Sequence, residues 1–243
     1  MGKQYGRLAA VAAAALVAAG GLAACTSGGD GLADQSGQQV EERAREALKS
    51  ARSLRFTIRG DQQDTASIDF MLDRDGNCAG TTSMGEQGSA EIIKRGDVVW
   101  FKPDRTFWEA QAGQAGADAY EAFAGRYLTG PASDPMMEDF AAGCQLRTLQ
   151  DGMKSGGAEW SDPAKGEVDG EPVVTITAES GERTHTIDVA AQGEPYPVRL
   201  VEKADGSTTT TTLSDFDEPV PSETPSAKES VDVKKVQKEL AGG

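Results

Sequence analysis

Leu54, Phe56 and Ile58 alternate with Arg55, Thr57 and Arg59, and this period of two recurs along much of the chain. No other feature constrains the fold as much. It places apolar side chains on one face of a strand and polar ones on the other. Ile68, Phe70 and Leu72 alternate with Asp69, Met71 and Asp73 as a second strand, and Asp73-Arg74-Asp75-Gly76 is a hairpin turn. Asn77 to Ser83 continues as a third strand, and Ala90 to Lys94 is a fourth. Val98-Val99-Trp100-Phe101 is apolar on both faces, which predicts a central strand covered on each side. Pro103-Asp104-Arg105 then turns into Phe107-Trp108, read as the end of a strand meander. Further strands are predicted at Val173 to Thr177, Thr184 to Val189, Val198 to Glu202 and Ser207 to Leu213.

Helical spacing appears at three places. Val40, Ala44, Ala47, Leu48 and Ala51 form one stripe, opened by a capping box at Ser36 and Gln39, with Glu41 and Arg45 paired on the wet side. Tyr120, Phe123, Ala124 and Tyr127 share a second helix face. After the breaker Gly130-Pro131, Met137, Phe140, Ala141 and Cys144 share a third. Residues 218–230 are rich in Pro, Ser and Glu and read as disordered or extended. Val233, Val236 and Leu240 suit a short terminal helix. A single antiparallel sheet of about ten strands curls, and its inner face needs cover. The expected fold is therefore α+β: a half-open barrel with an N-terminal helix and a helical lid insertion.

The N-terminus carries an address. Lys3 and Arg7 precede an apolar run from Leu8 to Ala19, too short for a spanning helix of about 20 residues. Leu22-Ala23-Ala24-Cys25 resembles a bacterial lipobox, which implies cleavage before Cys25 and a diacylglyceryl thioether on its sulfur. Two acyl chains anchor stably where one does not. The other reading is an ordinary cleavable signal with an incidental cysteine. The expected division is a signal peptide over 1–24, a tether over 25–37, a domain over 38–217 and an acidic tail over 218–243. The expected location is the extracytoplasmic face of the cell membrane.

A formal net charge of −15 argues against nucleic acid and against a polybasic grip on anionic lipid. Of three cysteines, an acylated Cys25 leaves Cys78 and Cys144 in an oxidising compartment. A disulfide between them is expected, with two buried free thiols as the alternative. His185 is the only histidine, and its position in a strand offers no nucleophile–base pair. Asp73, Asp75 and Asn77 alternate like part of a calcium loop, but Gly76 comes too early and no distal Glu follows. No phosphate-cradling glycine loop is present. The reading is of a chain that is not an enzyme, with no cofactor and no metal.

The lipobox, Ala51 to Arg59, Asp75 to Gly80, Val98 to Trp108 and Pro195-Tyr196-Pro197 together resemble the LolA/LolB-like fold, in particular the actinobacterial LppX/LprG-type lipoproteins. The resemblance implies a hydrophobic cavity between sheet and helices for the acyl chains of a lipid or glycolipid. The residues expected to line it are Phe56, Ile58, Ile68, Phe70, Trp100, Tyr120, Phe123, Tyr127, Met137 and Phe140. The alternative is a sensor or scaffold with a filled core that binds an envelope protein.

Overall fold

The computed structural model describes residues 31–62, 66–123, 125–152 and 159–242. The lipobox, Cys25 and Ala124 lie outside them. Helix α1 (Gly37–Ser50) opens with the expected capping box: the Gln39 N–H donates to Ser36 Oγ, and the Ser36 N–H donates to Gln39 Oε1. Its far end is held from two sides. The Arg74 guanidinium donates to the carbonyls of Lys49, Ser50 and Ala51, and Gln150 Nε2 donates to those of Leu48 and Ala51. These groups satisfy acceptors that a helix end leaves open. Glu41 departs from expectation. It does pair with Arg45, at 3.5 Å, but it is buried rather than on the wet side.

Strands β1 (Ser53–Gly60), β2 (Ser67–Asp73), β3 (Cys78–Ser83), β4 (Ser89–Arg95) and β5 (Val98–Pro103) form the expected meander. Helix α2 (Arg105–Phe123) follows, then β6 (Tyr127–Pro131), α3 (Glu138–Gly143) and α4 (Leu146–Gly152). A second meander comprises β7 (Ala164–Val168), β8 (Glu171–Ser180), β9 (Arg183–Ala190), β10 (Pro197–Ala204) and β11 (Ser207–Ser214). It is followed by β12 (Ser230–Asp232) and α5 (Val233–Gly242). All the strands belong to one 12-stranded sheet in the order β12-β6-β5-β4-β3-β2-β1-β11-β10-β9-β8-β7, which does not close into a barrel. Every pairing is antiparallel except β12 with β6. The count exceeds the expected ten because β6, β7 and β12 are short and weakly patterned.

Two readings change with the structure. Phe107 and Trp108 lie in α2, not in a strand. Asp104 acts as the helix N-cap, its Oδ1 accepting from the Phe107 N–H at 2.7 Å while its Oδ2 accepts from the Ser89 N–H. Tyr127 lies on β6, not on a helix. Gly125 adopts φ +62°, and the Arg126 backbone and side chain both donate to the Phe123 carbonyl, ending α2 before it. The Pro/Ser-rich stretch runs without regular structure, then delivers β12 and α5 to the β6 edge. There Val231, Val233 and Val236 are buried in the same core as the sheet.

The core has two parts. Leu32, Val40 and Ala44 pack on Val174, Ile176, Ile187 and Val189, so α1 covers the β8–β10 side. A larger cluster joins β1–β6 to α2, α3 and α5. The expected Cys78–Cys144 disulfide is present, with the Cα atoms 5.4 Å apart, and ties the start of β3 to the end of α3.

Candidate functional site

The inner face of β1, β2 and β11 is graded along its length. Leu54 lies opposite Leu72, and both are at most 1% exposed. The next rung is Phe56 opposite Phe70, at 8% and 9%, with ring centroids 6.2 Å apart. The third is Ile58 opposite Ile68, both half-buried. On the neighbouring strand Leu213 beside Phe56 is buried, while Thr211 beside Ile58 is half-buried, as is Leu200 across from Thr211. One rung further the face turns polar. Thr209 lies opposite Glu202, and Glu202 lies opposite His185. His185 Nδ1 stands 3.7 Å from Glu202 Oε2, and Arg183 reaches the same carboxylate at 3.4 Å. His185 thus shares a face with Ile187 and sits at the rim. Along β2, β1, β11 and β10 the inner face is thus apolar at one end, gains a hydroxyl at Thr211 and carries Thr209 and Glu202 at the other.

Helix α2 walls this face. It starts beside Pro103, whose rung runs through Ala90 and Thr82 to Ile68 and Ile58, so it stands at the open end. Phe107 meets Phe101 edge-on at 5.4 Å, and Phe140 stacks on Phe101 at 4.0 Å. Trp108 and Phe123 lie 6.5 Å apart beneath. Gly113, at φ 57° and ψ −131°, breaks α2 into two halves. Gly116 then rests on the Trp108 carbonyl oxygen, where a Cβ would come within 1.8 Å.

The structure brings together eight of the expected lining residues: Phe56, Ile58, Ile68, Phe70, Tyr120, Phe123, Met137 and Phe140 all belong to the larger core cluster or pack against it. Phe123 and Met137 are buried, and Tyr120 and Phe140 are half-buried. Trp100 and Tyr127 lie apart. Strand alternation sends them to the outer face, opposite Phe101 and Leu128. There the Tyr127 hydroxyl donates to Glu91 Oε2 at 2.6 Å and Lys102 covers its ring. Burial, reinforced by the Glu91 bond, raises the phenol well above its ordinary value. Phe107, Leu200 and Thr211 were missed at this face. Asp104 three residues before Phe107 was the cap signal that would have placed it on a helix.

Lys94 is the one charged group buried on the inner face of β4 among the described residues. Its Nζ donates to the Gly76 carbonyl at 2.8 Å and pins the β2–β3 turn at the closed end. Among the described residues, no group of three or more His, Cys, Asp or Glu is placed to hold a metal ion. None of the described helices is long and apolar enough to cross a membrane.

Architecture and graded face together define an open antiparallel sheet covered on one face by helices. The chain shares its fold with LprF from Mycobacterium bovis, at a TM-score of 0.53 and 16% identity over 79% of this chain and 97% of that one. It is also similar to the Mycobacterium tuberculosis lipoprotein LppX, with a TM-score of 0.47 and 14% identity over 80% of this chain and 99% of that one. In sequence, no family model and no curated protein matches it.

Proposed function

We propose that this chain is an extracytoplasmic lipoprotein, anchored through Cys25, that carries an acylated lipid between the sheet and α2. The observation that carries the reading is the graded inner face, from Leu54 and Leu72 through Ile58 and Ile68 to the rim of Thr209, Glu202 and His185. The fold shared with LprF supports it. A two-chain lipid exposes roughly 30 methylenes, a gross transfer cost into water on the order of 25 kcal/mol. Such a molecule leaves a bilayer only when another apolar surface receives it. Phe56, Ile58, Ile68, Phe70, Tyr120, Phe123, Met137 and Phe140 supply that surface, and the polar rim receives a headgroup. The tether keeps the opening near the membrane, which raises the effective concentration of cargo.

The test uses the secreted chain carrying Cys25→Ser. Native mass spectrometry should detect co-purifying lipid, and a fluorescent fatty acid should be taken up by the parent but not by Ile58→Asp. Absence of both signals, together with a crosslinked envelope protein, would replace the carrier with a protein-binding scaffold. Loss of membrane fractionation on Cys25→Ser tests the anchor separately.

A further inference from the structure

The two halves of α2 differ in how they are held. The first half continues directly from β5 and is fixed by the Asp104 cap, with Phe107 on Phe101 and Trp108 buried. The second half, Gln114–Phe123, lies between two glycines in backbone states that other residues rarely adopt: Gly113 at φ 57° and Gly125 at φ 62°. Nothing lies within 4 Å of where a Gly113 Cβ would stand, so packing does not restrain that joint. Beyond Gly125 the chain is fixed again, because β6 is paired on both sides.

Little holds this half-helix down at its outer face. Arg105, the first residue of α2, forms an ion pair with Glu121 and lies over the Tyr120 ring at 4.9 Å; it also reaches Glu109 at 3.4 Å. The side chains of Arg105, Glu109 and Glu121 are 45%, 47% and 69% exposed. Such pairs are weak and salt-screened. On the inner side Ala119 and Phe123 are buried in the larger core cluster, Phe123 lies near Trp108, and Gly116 meets the Trp108 carbonyl. The glycine lets the two backbones touch without interlocking side chains.

Resting on the lipid-carrier reading, we infer that residues 114–123 form a gate over the open end of the sheet, hinged at Gly113 and Gly125 and clasped by Arg105. Swinging it out lifts Tyr120 and Phe123 from the apolar face and leaves β5 and β6 in place. The φ/ψ change is absorbed at two glycines, as in other hinge motions. Arg105 serves the gate as a positioning residue, because it holds Tyr120 and Glu121 rather than the cargo.

The test combines hydrogen exchange with uptake kinetics in the Cys25→Ser chain. Glu121→Gln and Arg105→Gln should each speed exchange across 114–123 by about two- to fivefold, the range an exposed ion pair commands. Exchange in β4 and β5 should not change, and raised salt should reproduce the effect in the parent. A bis-maleimide bridging R105C and E121C should slow fatty-acid uptake by at least about tenfold, as expected if opening gates entry. Unchanged exchange in both release variants, or unchanged uptake in the bridged protein, overturns the gate. If the parent takes up no fatty acid while Glu121→Gln still frees 114–123, the hinge stands and the lipid reading falls.

Discussion

The two halves of the sheet are covered in different ways. Under α1, the side chains of Val40, Ala44, Val174, Ile176, Ile187 and Val189 are aliphatic and at most 7% exposed. Under α2 and α3 the cover is largely aromatic, and Phe107, Tyr120 and Phe140, like Ile58 and Ile68, remain half-buried against the cluster. Small branched side chains close a gap between helix and strand completely. Large flat rings lying on one another cover a wide face yet leave edges that can part. On the gate inferred above, one half is a permanent core and the other a closure.

The sharpest way to break this contrast is to cut one side chain from each half. Ile176→Ala should cost about 2–5 kcal/mol in denaturant unfolding, with fatty-acid uptake unchanged. Ile58→Ala, already half in water, should cost about 1 kcal/mol and weaken uptake. Equal stability losses and equal uptake would erase the distinction. Next in size is the covalent tie in the aromatic half. Cys78→Ser combined with Cys144→Ser should lower stability by about 2–4 kcal/mol, read as a shift in the unfolding midpoint. Gln150→Ala tests how α1 is fastened to α4. It strips a donor from the Leu48 and Ala51 carbonyls and should cost about 1–3 kcal/mol. Arg74 still serves Ala51, which favours the lower end.

The smallest expected effect sits in the closed half and depends on pH. Burial raises the Glu41 carboxyl above its ordinary 4.5, with Arg45 pulling the other way. A carboxyl raised on folding holds its proton more tightly in the native state. Its contribution is therefore most favourable below the unfolded value and declines as pH rises through the folded one. Glu41→Gln should remove that decline and leave the chain more stable near neutrality. The difference in unfolding midpoint between variant and parent, followed from acid to neutral pH, checks the sign.

Most of the sheet was legible because alternation is a local signal. Leu54 to Ile58 and Ile68 to Leu72 found their own faces before any partner was known. What escaped were places where one residue overrides a pattern. Asp104 turns Phe107-Trp108 into a helix start, and Gly125 takes Tyr127 out of one. Ala164 to Val168 is mostly exposed and nearly patternless, so β7 gains its identity only by pairing with β8. At the site, periodicity gave the right face for Phe56 through Phe70. It failed for Trp100, because a strand apolar on both sides does not say which side holds the helices. The burial of Glu41 was invisible for a related reason. Its helical neighbours looked polar, and only the fold brought cover to it.

The order of the strands carries a consequence for how the chain comes together. The bond from Cys78 to Cys144 spans 66 residues, and every rung of the first meander joins segments that emerge early and close to one another. The seam between β1 and β11 does not, since Phe56 finds Leu213 only after nearly the whole polypeptide has been made. Distant pairings of this sort are slow to form. Until that seam is made, the edge of β1 stays unpaired and open to wrong partners. Assembly of this protein is therefore vulnerable at the middle of its finished sheet, and again at the rim where β6 waits for β12.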